Sequence, residues 1–178
     1  MYGVIYVAIK DYAEAKFGQE KWEEILGQSG ITVDFNVTEQ PYDDAVTYRF
    51  ATAIATATGN KIDKVLYGLG SQVILTTNQK FKNIMDSRGG TLKEYLINLP
   101  NYHNRISLIY PELTPPEFRI SDPADKSIVL HYRKRHRGMQ EYLKGYVNTL
   151  ATIFNEDVTV EAAPDNDSNT ELTYKINW

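Results

Sequence analysis

The sequence predicts an α+β domain, a helical N-terminal part packed on a mostly antiparallel four-stranded sheet with one long inserted helix. Three observations carry this. Over the first two-thirds of the chain, apolar residues recur at three- and four-residue spacing, the period of an amphipathic helix. From Phe118 onward the period drops to two, the period of a half-buried strand. Between those alternating stretches lies "MQEYLKGYVNTLATIF", where Met139, Tyr142, Leu143, Tyr146, Val147, Leu150 and Phe154 form the strongest apolar stripe in the sequence.

Each element has its own signal. "MYGVIYVAIKDYAEAKFG" begins apolar, but Lys10 and Asp11 interrupt it and no basic segment precedes it. It reads as a helix of the fold, not a signal peptide or membrane span, and the expected location is the cytoplasm. "PYDDAVTYRFATAIATATG" puts Val46, Phe50, Ile54 and Ala57 on one face and stops at Gly59. Its carboxylates Asp43 and Asp44 sit where a helix N-terminus favours negative charge. "KIDKVLYGLGSQV" aligns Ile62, Val65, Leu66, Leu69 and Val73, with Asn60 as the cap and Asp63 in the first turn. Thr91 and Glu94 have capping-box spacing. Pro100 suits the first turn of a further helix, which places His103, Ile106 and Tyr110 on one stripe before Pro111 ends it. "FRISD" and "SIVLHYR" read as strands joined by the turn "DPADK", with Ile128, Leu130 and Tyr132 on one face. "DVTVEAA" and "ELTYKINW" form a closing hairpin across "PDNDSN".

The 178 residues amount to one domain. A net charge of −4 gives no electrostatic reason to expect nucleic acid or an anionic membrane as a partner. The absence of cysteine excludes a disulfide framework, a thiolate metal site and a thiol nucleophile. Neither a phosphate-binding glycine loop, a nucleophile elbow nor a zinc-protease motif occurs, so no enzymatic activity is expected. "HYRKRHRG" concentrates cations and two of the three histidines. It reads either as a solvated turn or as a site for a compact dianion.

The third histidine, His103, stands on an apolar helical stripe with no second histidine at metal-site spacing. Such a residue is ordinarily part of a core. One common metal, however, needs only a single protein ligand: iron already held in a porphyrin, bound through a proximal histidine.

The opening "MYG", the stretch "YHNRISLIYPEL" with "PPEF" after it, the strand "VLHY" and the following "RGMQEYLKGYV" together resemble an H-NOX domain. That is the haem–nitric oxide/oxygen-binding family, which includes bacterial gas sensors and the haem domain of soluble guanylate cyclase. The resemblance covers essentially the whole chain. It implies haem b as cofactor, His103 as the proximal iron ligand, and Pro116 as the residue that presses the porphyrin out of plane. The family's propionate-binding motif, Tyr-x-Ser-x-Arg, aligns with Tyr132, Lys134 and His136, and Arg135 or Arg137 can substitute for the missing arginine through a shifted turn. Tyr142 falls at the distal position that donates to dioxygen in oxygen-binding members. Tyr146, Ile5, Ile9, Val73 and Ile74 complete the expected pocket.

The function implied is a stand-alone sensor of a diatomic gas (nitric oxide, dioxygen or carbon monoxide). Its implied partner is a histidine kinase or a cyclic-di-GMP enzyme. A helical subdomain over about 1–60 would precede the haem-enclosing helices and sheet over about 61–178. The competing reading is an interaction module that kept the fold and lost the haem.

Overall fold

The computed structural model describes residues 3–38, 40–41, 43–112, 116–133, 139–164 and 171–178. Six helices come first: α1 (Val4–Phe17), α2 (Gln19–Ser29), α3 (Asp44–Thr58), α4 (Ile62–Lys80), α5 (Lys82–Asp86) and α6 (Leu92–Ile109). Strands β1 (Phe118–Ala124) and β2 (Ser127–Arg133) follow, then α7 (Gln140–Phe154), then β3 (Thr159–Ala162) and β4 (Glu171–Asn177). The four strands are antiparallel in the order β1-β2-β4-β3, with α7 inserted between β2 and β3. The predicted class and architecture are those observed.

Local chemistry accounts for most boundaries. The Asp43 side chain accepts from the Ala45 N–H at 2.9 Å, and Gly59 ends α3 at φ 67°, a left-handed conformation that glycine adopts without penalty. Thr91 caps α6 by accepting from the Glu94 N–H at 3.2 Å. The reciprocal half of a capping box is displaced, because the Glu94 carboxylate accepts from Gly90 N–H at 2.8 Å.

Three expectations need correction. Lys61, not Asn60, is the N-cap of α4; the Asn60 amide instead donates to Thr58 Oγ1 at 2.8 Å, at the end of α3. Pro100 does not open a new helix, since α6 runs through it from Leu92 to Ile109. The ring forfeits one backbone hydrogen bond, and burial of Tyr95, Leu96, Leu99, His103 and Ile106 along one face holds the segment helical. The turn between β1 and β2 is confined to Asp125 and Lys126, because a bulge between Ser121 and Ala124 absorbs Asp122 and Pro123 into the strand.

Packing then fixes the frame. Trp22, Phe35 and Phe50 form an aromatic cluster with centroids 4.9–5.7 Å apart that joins α2 and α3 to the loop between them. On the sheet, Ile128, Leu130 and Tyr132 of β2 turn inward beside their β4 partners Ile176, Tyr174 and Leu172. Helices α4 and α7 cross at two glycines. A Cβ on Gly70 would lie 1.8 Å from the Tyr142 carbonyl oxygen, and one on Gly145 would lie 2.0 Å from that of Tyr67. Only glycine permits this approach, and it fixes the distance between the two helices that wall the cavity below. No described helix is long and apolar enough to cross a membrane.

Candidate functional site

A cavity lies where α1, α4, α6, α7 and the sheet converge. Val4 and Ile5 of α1 and Val73, Ile74 and Thr77 of α4 form one side. Tyr142, Leu143 and Tyr146 of α7 continue it. Tyr95, Tyr102 and His103 of α6, Phe118 of β1, Tyr132 of β2, Pro116 and Arg88 complete the lining. The space between these residues amounts to about 650 Å³, part of it open to solvent. Among the liners only Thr77, Tyr102, Pro116 and Phe118 are half-buried, and the rest are buried.

His103 owes its place to helical spacing, because Tyr95, Leu99 and His103 follow one another at four-residue intervals along the buried face of α6. Its ring is 9% exposed, edge-on to Tyr102 at 5.7 Å and 5.4 Å from Phe118. Burial, and secondarily the charge of Arg88, lowers its pKa to about 3. At neutral pH it is therefore an uncharged imidazole with a lone pair to offer, the form that ligates a metal. His131 lies on the other face of β2, with Nε2 2.8 Å from Ser121 Oγ and Nδ1 2.9 Å from Glu171. Among the described residues, no group of three or more His, Asp or Glu is arranged to hold a metal ion.

The predicted residues Ile5, Val73, Ile74, His103, Pro116, Tyr132, Tyr142 and Tyr146 all line this one cavity. Ile9, also expected there, is fully buried in the core and is not among the liners. Lys134, Arg135, His136 and Arg137 lie outside the described residues. Sequence reasoning missed Arg88, Tyr95, Tyr102 and Phe118. Tyr95 was legible from its eight-residue offset to His103 on one helical stripe, whereas Arg88, in the turn-like "DSRGG", carried no sign of burial. The cavity is also less aliphatic than its sequence suggested. Tyr142 is within electrostatic reach of Tyr146, and Tyr146 hydrogen-bonds Tyr95. Burial raises the pKa of both Tyr146 and Tyr95, so these phenols keep their protons.

A family model described as Haem-NO-binding matches residues 2–162. The chain belongs to the Haem-NO-binding family. Members bind haem and sense diatomic gas, so this is a sensor domain by family. The Haem-NO-binding domain is 26% identical over 163 residues to soluble guanylate cyclase gcy-31 of Caenorhabditis elegans, a match covering 90% of this chain and 23% of the relative. It is 25% identical over 155 residues to soluble guanylate cyclase 89Db of Drosophila melanogaster, covering 86% and 23%. The chain thus spans about a quarter of the length of these curated relatives. Among solved structures it is similar to an oxygen-binding H-NOX domain in its oxygen complex, with TM-score 0.80 and 21% identity over 99% of this chain and 94% of that one. It is also similar to the unliganded Fe(II) H-NOX protein from K. algicida, with TM-score 0.81 and 20% identity over 99% and 96%. These two likenesses show the fold.

The cavity's own chemistry fits a haem. It pairs a neutral buried imidazole with largely apolar and aromatic walls, which exclude water from a metal and cover a flat ring. It also contains one orphaned polar atom, Arg88 Nε, which has no hydrogen-bond partner among the described residues.

Proposed function

We propose that this domain binds haem b through His103 and reports the arrival of a diatomic gas to a partner protein. The observation that carries the reading is the position of His103, an uncharged imidazole on the wall of a cavity shared by eight of the expected pocket residues. When bound, the haem iron supplies an open coordination position for nitric oxide, dioxygen or carbon monoxide. The chain supplies the rest. His103 ties the iron to α6. Pro116, which also lines the cavity, would bear on the ring once it is bound. Tyr132, with Lys134 and His136 and with help from Arg135 or Arg137, holds the propionates. Tyr142 offers a phenol to a polarised ligand, with Tyr146 beside it.

The segment over about 1–60 acts as a helical lobe whose α1 touches the cavity through Val4 and Ile5. The remainder, about 61–178, encloses the cofactor. Loss of the bond to His103 would free α6 to move against the sheet, a two-state element biased by ligand. The partner proposed is a histidine kinase or a cyclic-di-GMP enzyme, in the cytoplasm. No catalytic role is proposed for the domain itself.

Haemin titration of the purified protein tests the reading. A strong Soret band that is lost in His103→Gly, and partly restored by imidazole, is the expected result. A folded protein that stays colourless would overturn it in favour of a haem-free interaction module.

A further inference from the structure

Arg88 lies between α5 and α6, in a stretch whose composition predicts an exposed side chain, yet it is 7% exposed. Its backbone is pinned on both sides: its N–H donates to the Met85 carbonyl at 3.1 Å, and its own carbonyl accepts from Asn98 Nδ2 at 2.7 Å. The guanidinium carbon sits 3.7 Å from the centroid of the Tyr102 ring and 5.1 Å from that of Tyr95, and Nη1 donates to the Tyr95 hydroxyl. These rings and the hydroxyl hold the cation in place without supplying a carboxylate to it. Among the described residues no carboxylate comes within salt-bridge distance of it, and Nε has no partner. A buried charge left in this way is costly unless an anion joins it. The same side chain lines the cavity beside His103.

We propose that Arg88 is a further anion-binding residue of the cavity, which takes one carboxylate of the tetrapyrrole that His103 ligates, beside the Tyr132 set. The inference rests on the haem reading above. A guanidinium edge presents parallel N–H donors that match the two oxygens of a carboxylate, and the orphaned Nε is one of those donors. A carboxylate there would satisfy Nε and supply the missing countercharge at one stroke. A small anion bound at the iron would need the same cation but would leave the tetrapyrrole's carboxylates indifferent to it, so the two sources are separable.

The test compares haemin with haemin dimethyl ester, whose carboxylates are blocked, on the full chain and on Arg88→Gln and Arg88→Lys. Affinities are read from Soret absorbance and from quenching of tyrosine fluorescence. Wild type should prefer haemin to the diester; Arg88→Gln should narrow that preference by about ten- to hundredfold, weakening haemin far more than the diester, and Arg88→Lys should keep part of it. An unchanged preference in Arg88→Gln overturns the proposal. So does a variant whose only loss is cyanide or azide affinity at the ferric iron, which would put the anion on the metal. If wild type binds neither porphyrin, the haem reading itself has failed, and the two failures are distinguishable. Should the variants not fold, wild-type protein carrying isotope-labelled arginine decides the matter. One arginine Nε–H resonance should shift on adding zinc protoporphyrin and stay put on adding its dimethyl ester. The absence of such a shift overturns the proposal.

Discussion

At His103, burial and the charge of Arg88 act in the same direction, and together they move the pKa from 6.5 to about 3. Without haem, the unfolded chain takes up a proton at this histidine below about pH 6.5, while the native state refuses it until about pH 3. The unfolded state therefore binds more protons in that window, so stability rises with pH across it and is lost as pH falls. At about 1.4 kcal/mol per pH unit the loss reaches several kcal/mol in acid, and none arises above neutrality. His103→Gln should flatten this dependence when urea midpoints are measured against pH; identical slopes in the two proteins would contradict the burial argument. In the same cavity, Tyr142→Phe should lower dioxygen affinity by about ten- to hundredfold, the value of one hydrogen bond to a partially charged ligand, and affect nitric oxide and carbon monoxide far less. Gas titrations of the ferrous protein check this. Equal losses for all three gases would show that Tyr142 shapes the pocket without donating. The sequence reading expected Tyr142 at the cavity, which it lines, but gave it mostly aliphatic company, because Arg88 and Tyr95 come from chain segments that only folding brings near. A charge in a glycine-rich turn advertises solvent, and nothing local reveals that Tyr102 and Asn98 draw it inward.

Among the elements, the crossing of α4 and α7 sets the width of the cavity, since Val73 and Ile74 project from one helix and Tyr142 and Tyr146 from the other. Gly145→Ala would place a methyl 2.0 Å from the Tyr67 carbonyl oxygen, which backbone cannot yield without moving the helix. The variant should be destabilised by about 1–3 kcal/mol or more and should bind haem more weakly. Gly27→Ala is the matched control: it sits within α2 with nothing inside 4 Å of an added Cβ, so it should be neutral or stabilising by up to about 1 kcal/mol. Thermal melts of the pair settle the point, and equal shifts would show that helix propensity alone is at work. In sequence, Gly70 and Gly145 look like tolerated weak points in good helices. Their necessity belongs to a pairing of distant segments, and no local pattern encodes it. What local pattern does encode was legible: the cap at Asp43, the stop at Gly59 and the change of period at Phe118. Pro100 was misread because proline is a helix-start signal only when tertiary packing does not override it, and here the buried face of α6 does.

Over the whole molecule, the segment from His103 to Phe118 joins α6 to β1 and contributes three liners of the cavity: His103, Pro116 and Phe118. On the proposed reading, a ligand-dependent pull on His103 would be felt directly between helix and sheet. Pro116→Ala should relax the out-of-plane distortion of the ring and change gas affinity; a haem equally distorted, with unchanged affinity, would exclude Pro116 from that role. The assembly of helices and sheet around one cavity was readable because apolar periodicity reports which face turns inward. The family resemblance then ordered those faces about a single histidine. That His103 holds the iron is tested most directly by the low-frequency resonance Raman spectrum of the ferrous, gas-free protein. The predicted result is an iron–imidazole stretching band in wild type that is absent from His103→Gly and returns when imidazole is added. The same band persisting unchanged in His103→Gly would contradict it, and would place the iron on another histidine.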